Sequence, residues 1–341
     1  MLQLDIMGRL TGAIEIKLRG GSIIACYRGK TFALDPKAPV NSNYYFISHA
    51  HVDHVCGKLK ENILSSKETI FLARERGYHL PDPIMLEDVE LYDSGHIVGS
   101  KSILIEDKIF YTGDISIRAR GFLKTPKLPK AKILIIETTY GHPSYSFPNP
   151  ATIVSKVNKL ISEMYERGVP IVLCGYPLGK AQLLTYLFST WEPIYSQENI
   201  LRLNEACRTI GVPLKKLKSY HEAKREGLLE KRPWILLAPS YSLKSSLIKF
   251  LKKRYEAVTF YFSGWALYNK NGYNGADYSF PLSDHCDYSD LIKVVKYVDP
   301  EKIYTVHGFA REFAIELRKM GYDAEALYSS QPLLEEFYKN D

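Results

Sequence analysis

His49, His51, Asp53 and His54 place four side chains of metal-ligand type within six consecutive positions. The residues just before them, 44–47, are aromatic or β-branched, which predicts a buried strand that ends where the cluster begins. Alternation along an extended segment sends His49 and His51 to one side, and a turn would let Asp53 and His54 reach a second point. The pattern therefore predicts a two-metal hydrolase site, with ligands that suit zinc and tolerate manganese or iron.

A lone histidine is usually a packing or surface residue that binds no metal. Three histidines and an aspartate so close together are different, because buried polar groups are costly unless they are paired or coordinated. Further residues of these types stand at the ends of predicted elements, where loops of layered α/β folds converge. They are His96, Asp114, Glu137, His285 and His307. His79, His142 and His221 lack this placement, and we leave them out of the predicted site.

The chain of 341 residues is long enough for one large domain or two ordinary ones. Its 45% apolar and 24% charged residues are ordinary for a globular protein and exclude a disordered chain. Residues 1–12 contain no apolar run of signal-peptide length, and no segment approaches the roughly 18 apolar residues of a membrane span. We therefore expect a cytoplasmic protein that does not bind membranes.

The five cysteines are an odd number, widely separated and without a CxxC pair, which favours reduced thiols. Cys56 and Cys286 lie near predicted site histidines. A ligand role for them stays open, although small buried packing residues are the more common case.

The sequence predicts an α/β fold in two parts. Residues 2–34 alternate as strands and hairpins, and the region around residues 148–150 marks a change to helices alternating with strands. The first of these helices is capped by Asn149 and ends at Gly168. We predict one domain from residues 1–145 and 276–341, interrupted by a second α/β domain over residues 146–275.

Residues 175–182 resemble a phosphate-binding loop only superficially. Gly175 is one residue too close to Gly179 and Lys180, and Ala181 replaces the Ser or Thr that would hold magnesium, which excludes a P-loop NTPase. A helix N-terminus that carries glycine and lysine still predicts a contact with a backbone phosphate, and we assign that contact to Lys180.

Positive charge is concentrated between Lys215 and Arg254, where twelve Lys or Arg residues face three acidic ones. Since the formal net charge of the whole chain is +7, the remainder is slightly acidic. This asymmetry predicts a polyanion-binding surface, and a solvated basic helix face is the alternative. The predicted nucleic-acid contacts are Lys180, Lys215, Lys216, Lys252 and Lys253.

The ordered ligands, His49-x-His51-x-Asp53-His54 followed by His96 and Asp114, resemble those of the metallo-β-lactamase superfamily. The segment Glu137-Thr-Thr-Tyr-Gly141, His285 and His307 are similar to the three extra motifs of its β-CASP nuclease branch. The likeness spans nearly the whole chain. Residues 178–182, 282–285 and 305–308 are most similar to the short DNA exonucleases associated with DNA ligase and to archaeal mRNA 3′-end processing factor-like exonucleases. RNA-processing relatives share the motifs less closely, and Artemis-type nucleases usually lack a histidine like His307.

The resemblance implies an αββα sandwich interrupted by a β-CASP domain, with the substrate in a cleft between them. It also implies two divalent metal ions, zinc in the first place with manganese as the alternative. The implied ligands are His49, His51 and His96 for one ion and Asp53, His54 and His307 for the other, with Asp114 as the bridge.

The implied reaction is hydrolysis of a nucleic-acid phosphodiester bond by a hydroxide that two metals activate. Asp53 would orient that hydroxide or take its proton. His285 would contact the scissile phosphate or protonate the leaving oxygen, with Glu137 holding its ring. We expect a DNA exonuclease of repair or processing that acts on single-stranded DNA. An RNA-processing endo- or exoribonuclease is the alternative, because spacing does not reveal contacts to the 2′-OH.

Two other functions are weaker alternatives. A small-molecule hydrolase of lactamase or thiolesterase type would have no use for the inserted basic domain or for His307. A metal-free nucleic-acid-binding subunit would not need the complete set of ligand residues that this sequence retains.

Overall fold

The computed structural model describes residues 13–268 and 275–327. The strands that the sequence predicts before residue 13, and the termini of the predicted first domain, lie outside the described residues. The chain divides into two compact units. The first is Met1–Ile117, Pro126–Ser144 and Cys286–Asp341, and the second is Arg118–Thr125 and Tyr145–His285.

The first sheet of the first unit has five strands that pair in chain order. They are β1 (Glu15–Arg19), β2 (Ser22–Tyr27), β3 (Lys30–Leu34), β4 (Tyr44–Phe46) and β5 (Ile63–Leu64). The first three strands are antiparallel, and β4 and β5 then add in parallel. Helix α1 (Lys67–Glu75) follows β5, and the side chain of Ser66 caps its N-terminus.

The second sheet of this unit has six strands in the order β17-β16-β9-β8-β7-β6. They are β6 (Val89–Asp93), β7 (Lys101–Ile105), β8 (Ile109–Tyr111), β9 (Ile133–Glu137), β16 (Lys302–Val306) and β17 (Ala324–Ala326). Strands β6 to β8 form an antiparallel meander. Strands β9, β16 and β17 extend it in parallel from β8.

Alternation along the strands of the second sheet separates two cores. Ile109 and Tyr111 of β8 pack with apolar residues of both sheets, so the sheets lie face to face. Phe110 points to the opposite side, where it packs with residues of α7 (Tyr288–Val298) and α8 (Ala310–Lys319). Each such fully buried apolar side chain contributes about 1.5–3 kcal/mol to folding. These layers confirm the predicted α/β sandwich.

The second unit is built on a parallel sheet in the order β12-β11-β13-β10-β14-β15. Its strands are β10 (Ile171–Gly175), β11 (Ile194–Ser196), β12 (Lys218–Ser219), β13 (Ile235–Pro239), β14 (Val258–Phe262) and β15 (Tyr278–Phe280). Its helices are α2 (Pro150–Glu166), α3 (Lys180–Leu187), α4 (Glu198–Thr209), α5 (Tyr220–Arg225) and α6 (Ser246–Tyr255).

The helices of the second unit cover both faces of its sheet. Ile171 and Leu173 of β10 pack with α2, α3 and α4, while Val172 and Cys174 face the opposite side and pack with α5 and α6. Near-continuous apolar strands are expected when both faces are buried, and every residue of β10 and β13 is buried.

The two units differ from the predicted domains at their boundaries. Strand β15 pairs with β14, so residues 276–285 group with the second unit rather than with the first. Residues 118–125 group with the second unit as well. The sequence could not show either assignment, because both depend on contacts with residues far away in the chain.

None of the five cysteines, all of which lie in the described part of the chain, forms a disulfide. Cys286 is buried in the core formed with α7 and α8, which fits a packing role. Among the described residues, no helix has the length and apolar character needed to cross a membrane.

Candidate metal centre

The loop that follows β4 carries the predicted His/Asp cluster. Its first residues are fixed by the sheet, since the N–H of Ile47 donates to the carbonyl of Leu64. Gly113, with φ +53°, lets the end of the β8 segment approach this loop, because a Cβ there would lie 2.6 Å from Cβ of Ser48. Glycine is therefore required where Asp114 meets the loop.

The first group of ligand atoms belongs to His49, His51, His96 and Asp114, and these atoms lie within 4.8 Å of one another. Nε2 of His49 is 2.9 Å from Nδ1 of His51. Nε2 of His96 is 3.3 Å from the same Nδ1. Oδ2 of Asp114 is 3.4 Å from Nε2 of His49. Three imidazole nitrogens and one carboxylate oxygen that converge in this way match the ligand set of a divalent metal such as zinc.

The second group of ligand atoms belongs to His54, Asp114 and His307. Oδ2 of Asp114, already part of the first group, is 3.5 Å from Nε2 of His54. Oδ2 of Asp53 lies 3.6 Å from the same nitrogen, so Asp53 stands at the edge of this group with its side chain half-exposed. Six of the seven predicted metal ligands thus lie in two groups that share one carboxylate, and Asp53 lies beside the second group.

His307 gives an independent test of whether a metal fits. Its Nε2 is buried and has no hydrogen-bond partner within the described residues, and its ring centre lies 5.5 Å from that of His54. A buried polar atom without a partner is costly, and metal coordination would remove that cost. The residues present therefore fit a divalent ion here.

The pKa values around the second group show its negative potential. Burial alone would lower the pKa of His54, but Asp114, Asp53 and Asp35 outweigh it and raise the pKa to about 10. Burial, together with the charge of His54, lowers the pKa of His307 to about 4, so its ring is neutral and can offer a lone pair. A site that favours a proton on His54 so strongly also favours a metal cation in its place.

Asp35, at the end of β3, supports both the loop and the ligands. Its Oδ1 accepts from the N–H of Ser48 at 2.7 Å, and its Oδ2 lies 2.8 Å from Nδ1 of His54. The hydroxyl of Tyr111 in the second sheet donates to the same Oδ2 at 2.8 Å. Carboxylates of this kind fix the orientation of a metal-binding imidazole. Asp35 was not among the site residues predicted from the sequence, although a carboxylate at a strand end was the available signal.

The loop that holds His307 is fixed by the end of β9. His307 has φ +62°, and the hydroxyl of Thr138 donates to its carbonyl at 2.6 Å. Gly308 permits this approach, since a Cβ on it would lie 2.5 Å from Cα of Thr139. The position of His307 and Gly308 therefore depends on contacts with Thr138 and Thr139. These contacts connect two of the segments that resemble β-CASP motifs.

Glu137 is fully buried at the end of β9. Its Oε1 accepts from the N–H of Ile115 at 3.0 Å, and its Oε2 accepts from the N–H of Thr139 at 3.0 Å. These bonds join the residue after Asp114 to the segment that supports His307. Glu137 therefore organises the backbone of two ligand-bearing loops.

The structure corrects the role predicted for Lys180. This lysine is 1% exposed, and its Nζ donates to the carbonyl of Leu282 at 2.5 Å and to Oδ1 of Asp284 at 2.7 Å. Its stem packs over Gly175, where a Cβ would lie 2.4 Å from Cγ of Lys180. Because the ammonium is buried against Asp284, it is not presented to a backbone phosphate. It instead fixes the segment that leads into His285, the last residue of the second unit.

The other predicted nucleic-acid contacts fall into two classes. Lys215 is ion-paired with Glu192, and Lys252 is 2.8 Å from Asp277. Lys216 and Lys253 are exposed and make no ion pair within the described residues. The local excess of positive charge is therefore smaller than the sequence count between Lys215 and Arg254 indicates, because acidic partners come from outside that segment.

Comparisons with known proteins agree with this architecture. A family model described as "Zn-dependent metallo-hydrolase RNA specificity domain" matches residues 278–327. A protein of Opitutus terrae named "Probable DNA ligase" is 32% identical over 83% of this chain, which covers 28% of that protein. This chain therefore spans less than a third of the length of that relative.

Other relatives carry different names. An "RNase J-like protein" of Methanocaldococcus jannaschii is 24% identical, and the match covers 77% of this chain and 80% of that protein. A crystal structure of a protein of unknown function from Enterococcus faecalis V583 matches with a TM-score of 0.56 and 13% sequence identity. The match covers 92% of this chain and 96% of that chain. At that identity the likeness shows the fold alone.

The matches run through both units, and the described ligands lie in the order that the resemblance requires. The O. terrae and M. jannaschii relatives cover most of the chain, and the metallo-hydrolase family model covers the segment that contains His285 and His307. From this agreement of fold, ligand order and relatives we conclude that the chain belongs to the β-CASP branch of the metallo-β-lactamase superfamily.

Proposed function

We propose that this protein is a metal-dependent nuclease that hydrolyses nucleic-acid phosphodiester bonds with two divalent ions, zinc in the first place and manganese as the alternative. The observation that carries the proposal is the pair of ligand groups that share Oδ2 of Asp114. In two-metal hydrolases the ions are typically about 3.5–4 Å apart, a separation that one carboxylate can bridge.

Each ligand residue has a proposed place. His49, His51 and His96 would hold one ion, and Asp53, His54 and His307 the other, with Asp114 between them. When bound, the two ions supply an activated water and offset negative charge on the phosphoryl oxygens.

Asp53 is the candidate proton acceptor. Its carboxylate is half-exposed, so a substrate can reach it. Burial of the group would raise the pKa of Asp53, but His54 and His51 outweigh it and lower the pKa to about 2. The carboxylate is therefore ionised at neutral pH and can orient the attacking water or accept its proton.

His285 is the candidate proton donor to the leaving oxygen, and Glu137 is proposed to orient its ring. Support comes from the neighbouring residue, since the ion pair of Asp284 with Lys180 fixes the backbone on which His285 stands. The N–H of His285 also donates to the hydroxyl of Ser283 at 3.0 Å. A general acid must be held in position, and this segment meets that requirement.

For the substrate we favour single-stranded DNA and an exonuclease of repair or processing. The O. terrae relative named "Probable DNA ligase" and the mouse relative named "DNA cross-link repair 1A protein" support DNA. The "RNase J-like protein" and the matched RNA specificity domain support the second candidate, an RNA-processing endo- or exoribonuclease. Lys216 and Lys253 are the exposed cations that we propose as phosphate contacts.

One experiment tests both the activity and the sugar preference. DNA and RNA of equal sequence, labelled at either end, are incubated with the purified protein loaded with zinc or manganese. We expect cleavage of the DNA that is lost in Asp114→Asn and kept in Asp82→Asn, a matched change at an exposed carboxylate on the surface. Cleavage of RNA alone would replace the DNA proposal with the second candidate.

Metal analysis of the same preparations tests the centre itself. We expect close to two equivalents of divalent metal per chain in the parent protein and a marked loss in Asp114→Asn. A protein that binds nucleic acid but holds no stoichiometric metal would refute the nuclease proposal and favour a metal-free binding subunit.

A further inference from the structure

The second unit contains a groove of about 430 Å³ that the proposed chemistry does not use. It lies at the carboxyl ends of three adjacent parallel strands, β12, β11 and β13. Gln197 and Glu198 follow β11, Lys224 follows β12, and Ser246 and Phe250 follow β13. All of them line the groove.

The helices that follow the adjacent strands β11 and β13 pack on opposite faces of the sheet. Helix α4, after β11, packs through Ile200 on the face that also carries α2 and α3. Helix α6, after β13, packs through Ile248 and Leu251 on the other face. A crevice opens between such strands, and ligands of open α/β sheets bind in it.

The amino end of α6 gives the groove a site for an anion. Ser246 and Leu247 are its first two residues, and both line the groove. The capping side chain of Ser245 accepts from the N–H of Ile248, so the N–H groups of Ser246 and Leu247 have no acceptor within the helix. The first turn contains no acidic residue that would offset the helix dipole.

A second observation is independent of the helix. Nε2 of Gln197 is buried and has no hydrogen-bond partner in the described part of the chain. An acceptor oxygen of a ligand would satisfy this donor. The carboxylate of Glu198 also lines the groove, where it accepts from the N–H of His221 at 3.3 Å and lies 3.5 Å from Nε2 of that ring.

The groove also offers an aromatic face beside a cation. Phe250 is 43% exposed, and Nζ of Lys224 lies 5.7 Å from the centre of its ring. An exposed ring can stack on a nucleobase, and an adjacent ammonium can bind the phosphate of the same nucleotide.

We propose that this groove binds a nucleoside monophosphate unit. Its phosphate contacts the amino end of α6, Lys224 and the amide of Gln197, and its base stacks on Phe250. The unit comes either from a free mononucleotide or from one residue of a bound strand, and the strand source rests on the nuclease function proposed above.

Ser246→Asp is the sharpest test. A carboxylate in the first turn of α6 favours the helix end but repels a phosphate. Thr152→Asp is the matched control, because Thr152 is exposed in the first turn of α2 and does not line the groove. Calorimetric titration of the metal-loaded, 341-residue chain with AMP should show about tenfold weaker binding in Ser246→Asp and no change in Thr152→Asp.

The two parts of the ligand are tested separately. Phe250→Ala should weaken the binding of AMP but not that of inorganic phosphate, and Lys224→Ala should weaken both. If AMP does not bind but Ser246→Asp weakens the binding of single-stranded DNA, the unit belongs to a strand. If Ser246→Asp and Lys224→Ala leave the binding of AMP and of DNA unchanged, the groove proposal is overturned.

A small chromogenic phosphodiester separates this proposal from the nuclease function. Its hydrolysis reports on the metal centre alone and should be equal in Ser246→Asp and in the parent protein. If the parent protein fails to hydrolyse any phosphodiester, the nuclease function fails, and the AMP titration still decides whether the groove is a nucleotide site.

Discussion

Replacing Lys180 by methionine removes one partner of an ion pair that the second unit buries. The side chains of Lys180 and Asp284 are 2% and 8% exposed, and Nζ lies 2.7 Å from Oδ1. Methionine keeps most of the stem over Gly175, so little apolar packing is lost. In this variant the carboxylate of Asp284 still has an ion pair with Arg120, whose Nε lies 3.9 Å from Oδ1.

The expected loss is large because a buried charge loses its partner. Breaking a buried ion pair from one side costs about 3–5 kcal/mol. For a protein of this size, each kcal/mol lowers the melting temperature by about 2–4 °C, so the variant should melt about 6–20 °C lower. Lys218→Met is the control. Lys218 pairs with Glu226 at the surface, where a pair contributes about 0–1 kcal/mol.

Differential scanning fluorimetry and urea unfolding of both variants measure this difference. In the double variant Lys180→Met/Asp284→Asn, the unfolding free energy should be higher than the sum of the two single losses predicts, because the second change removes the buried charge that has lost Lys180. Equal melting temperatures for Lys180→Met and Lys218→Met would refute the conclusion that the buried pair holds this segment. The same result would again favour the role predicted from the sequence, in which Lys180 contacts a backbone phosphate.

The remaining predictions concern acid stability, the metal ligands and the exposed cations. Burial alone would raise the pKa of Asp284, but Lys180 and Arg120 outweigh it and lower the pKa. The stability that the ionised Asp284 contributes is therefore present above the ordinary pKa of 3.8 and is lost as the pH falls through the lower pKa of the folded protein. Asp284→Asn should therefore reduce the fall of melting temperature at acid pH, and an unchanged dependence of melting temperature on pH would contradict this. Asp35→Asn should weaken metal binding by about 10–100-fold in a chelator competition, and unchanged affinity would remove its supporting role. Gly308→Ala should lower metal content in an elemental analysis, because its Cβ would meet the backbone of Thr139, and full content would show that the loop adjusts. Lys216→Ala should reduce the salt dependence of DNA binding by about one unit of slope, whereas an equal effect of Lys215→Ala would mean that the Glu192 pair does not shield Lys215.

Local patterns predicted single elements of both units. The strand before His49 and the helix capped by Asn149 were visible because alternation and the 3.6-residue period are properties of short segments. The family resemblance then grouped His96, Asp114 and His307 with the cluster, and the structure brings their ligand atoms together.

Contacts between residues far apart in the chain could not be predicted from local sequence patterns. Lys180 begins a helix after glycine, and this local pattern is the same whether the ammonium is exposed or buried. Only its packing beneath Asp284, more than a hundred residues later, decides its role. The pairing of Lys252 with Asp277 and the contacts of Asp35 with Tyr111 are likewise non-local.

The shared oxygen of Asp114 has a thermodynamic consequence for metal loading. Because the same Oδ2 lies 3.4 Å from a ligand of the first group and 3.5 Å from a ligand of the second, filling either position changes the charge that the other experiences. Such coupling is reciprocal, so the affinity measured at one position depends on the occupancy of its neighbour. Titration of the apo-protein should therefore yield macroscopic constants for the pair, and substituting a ligand on one side should alter the apparent affinity on both.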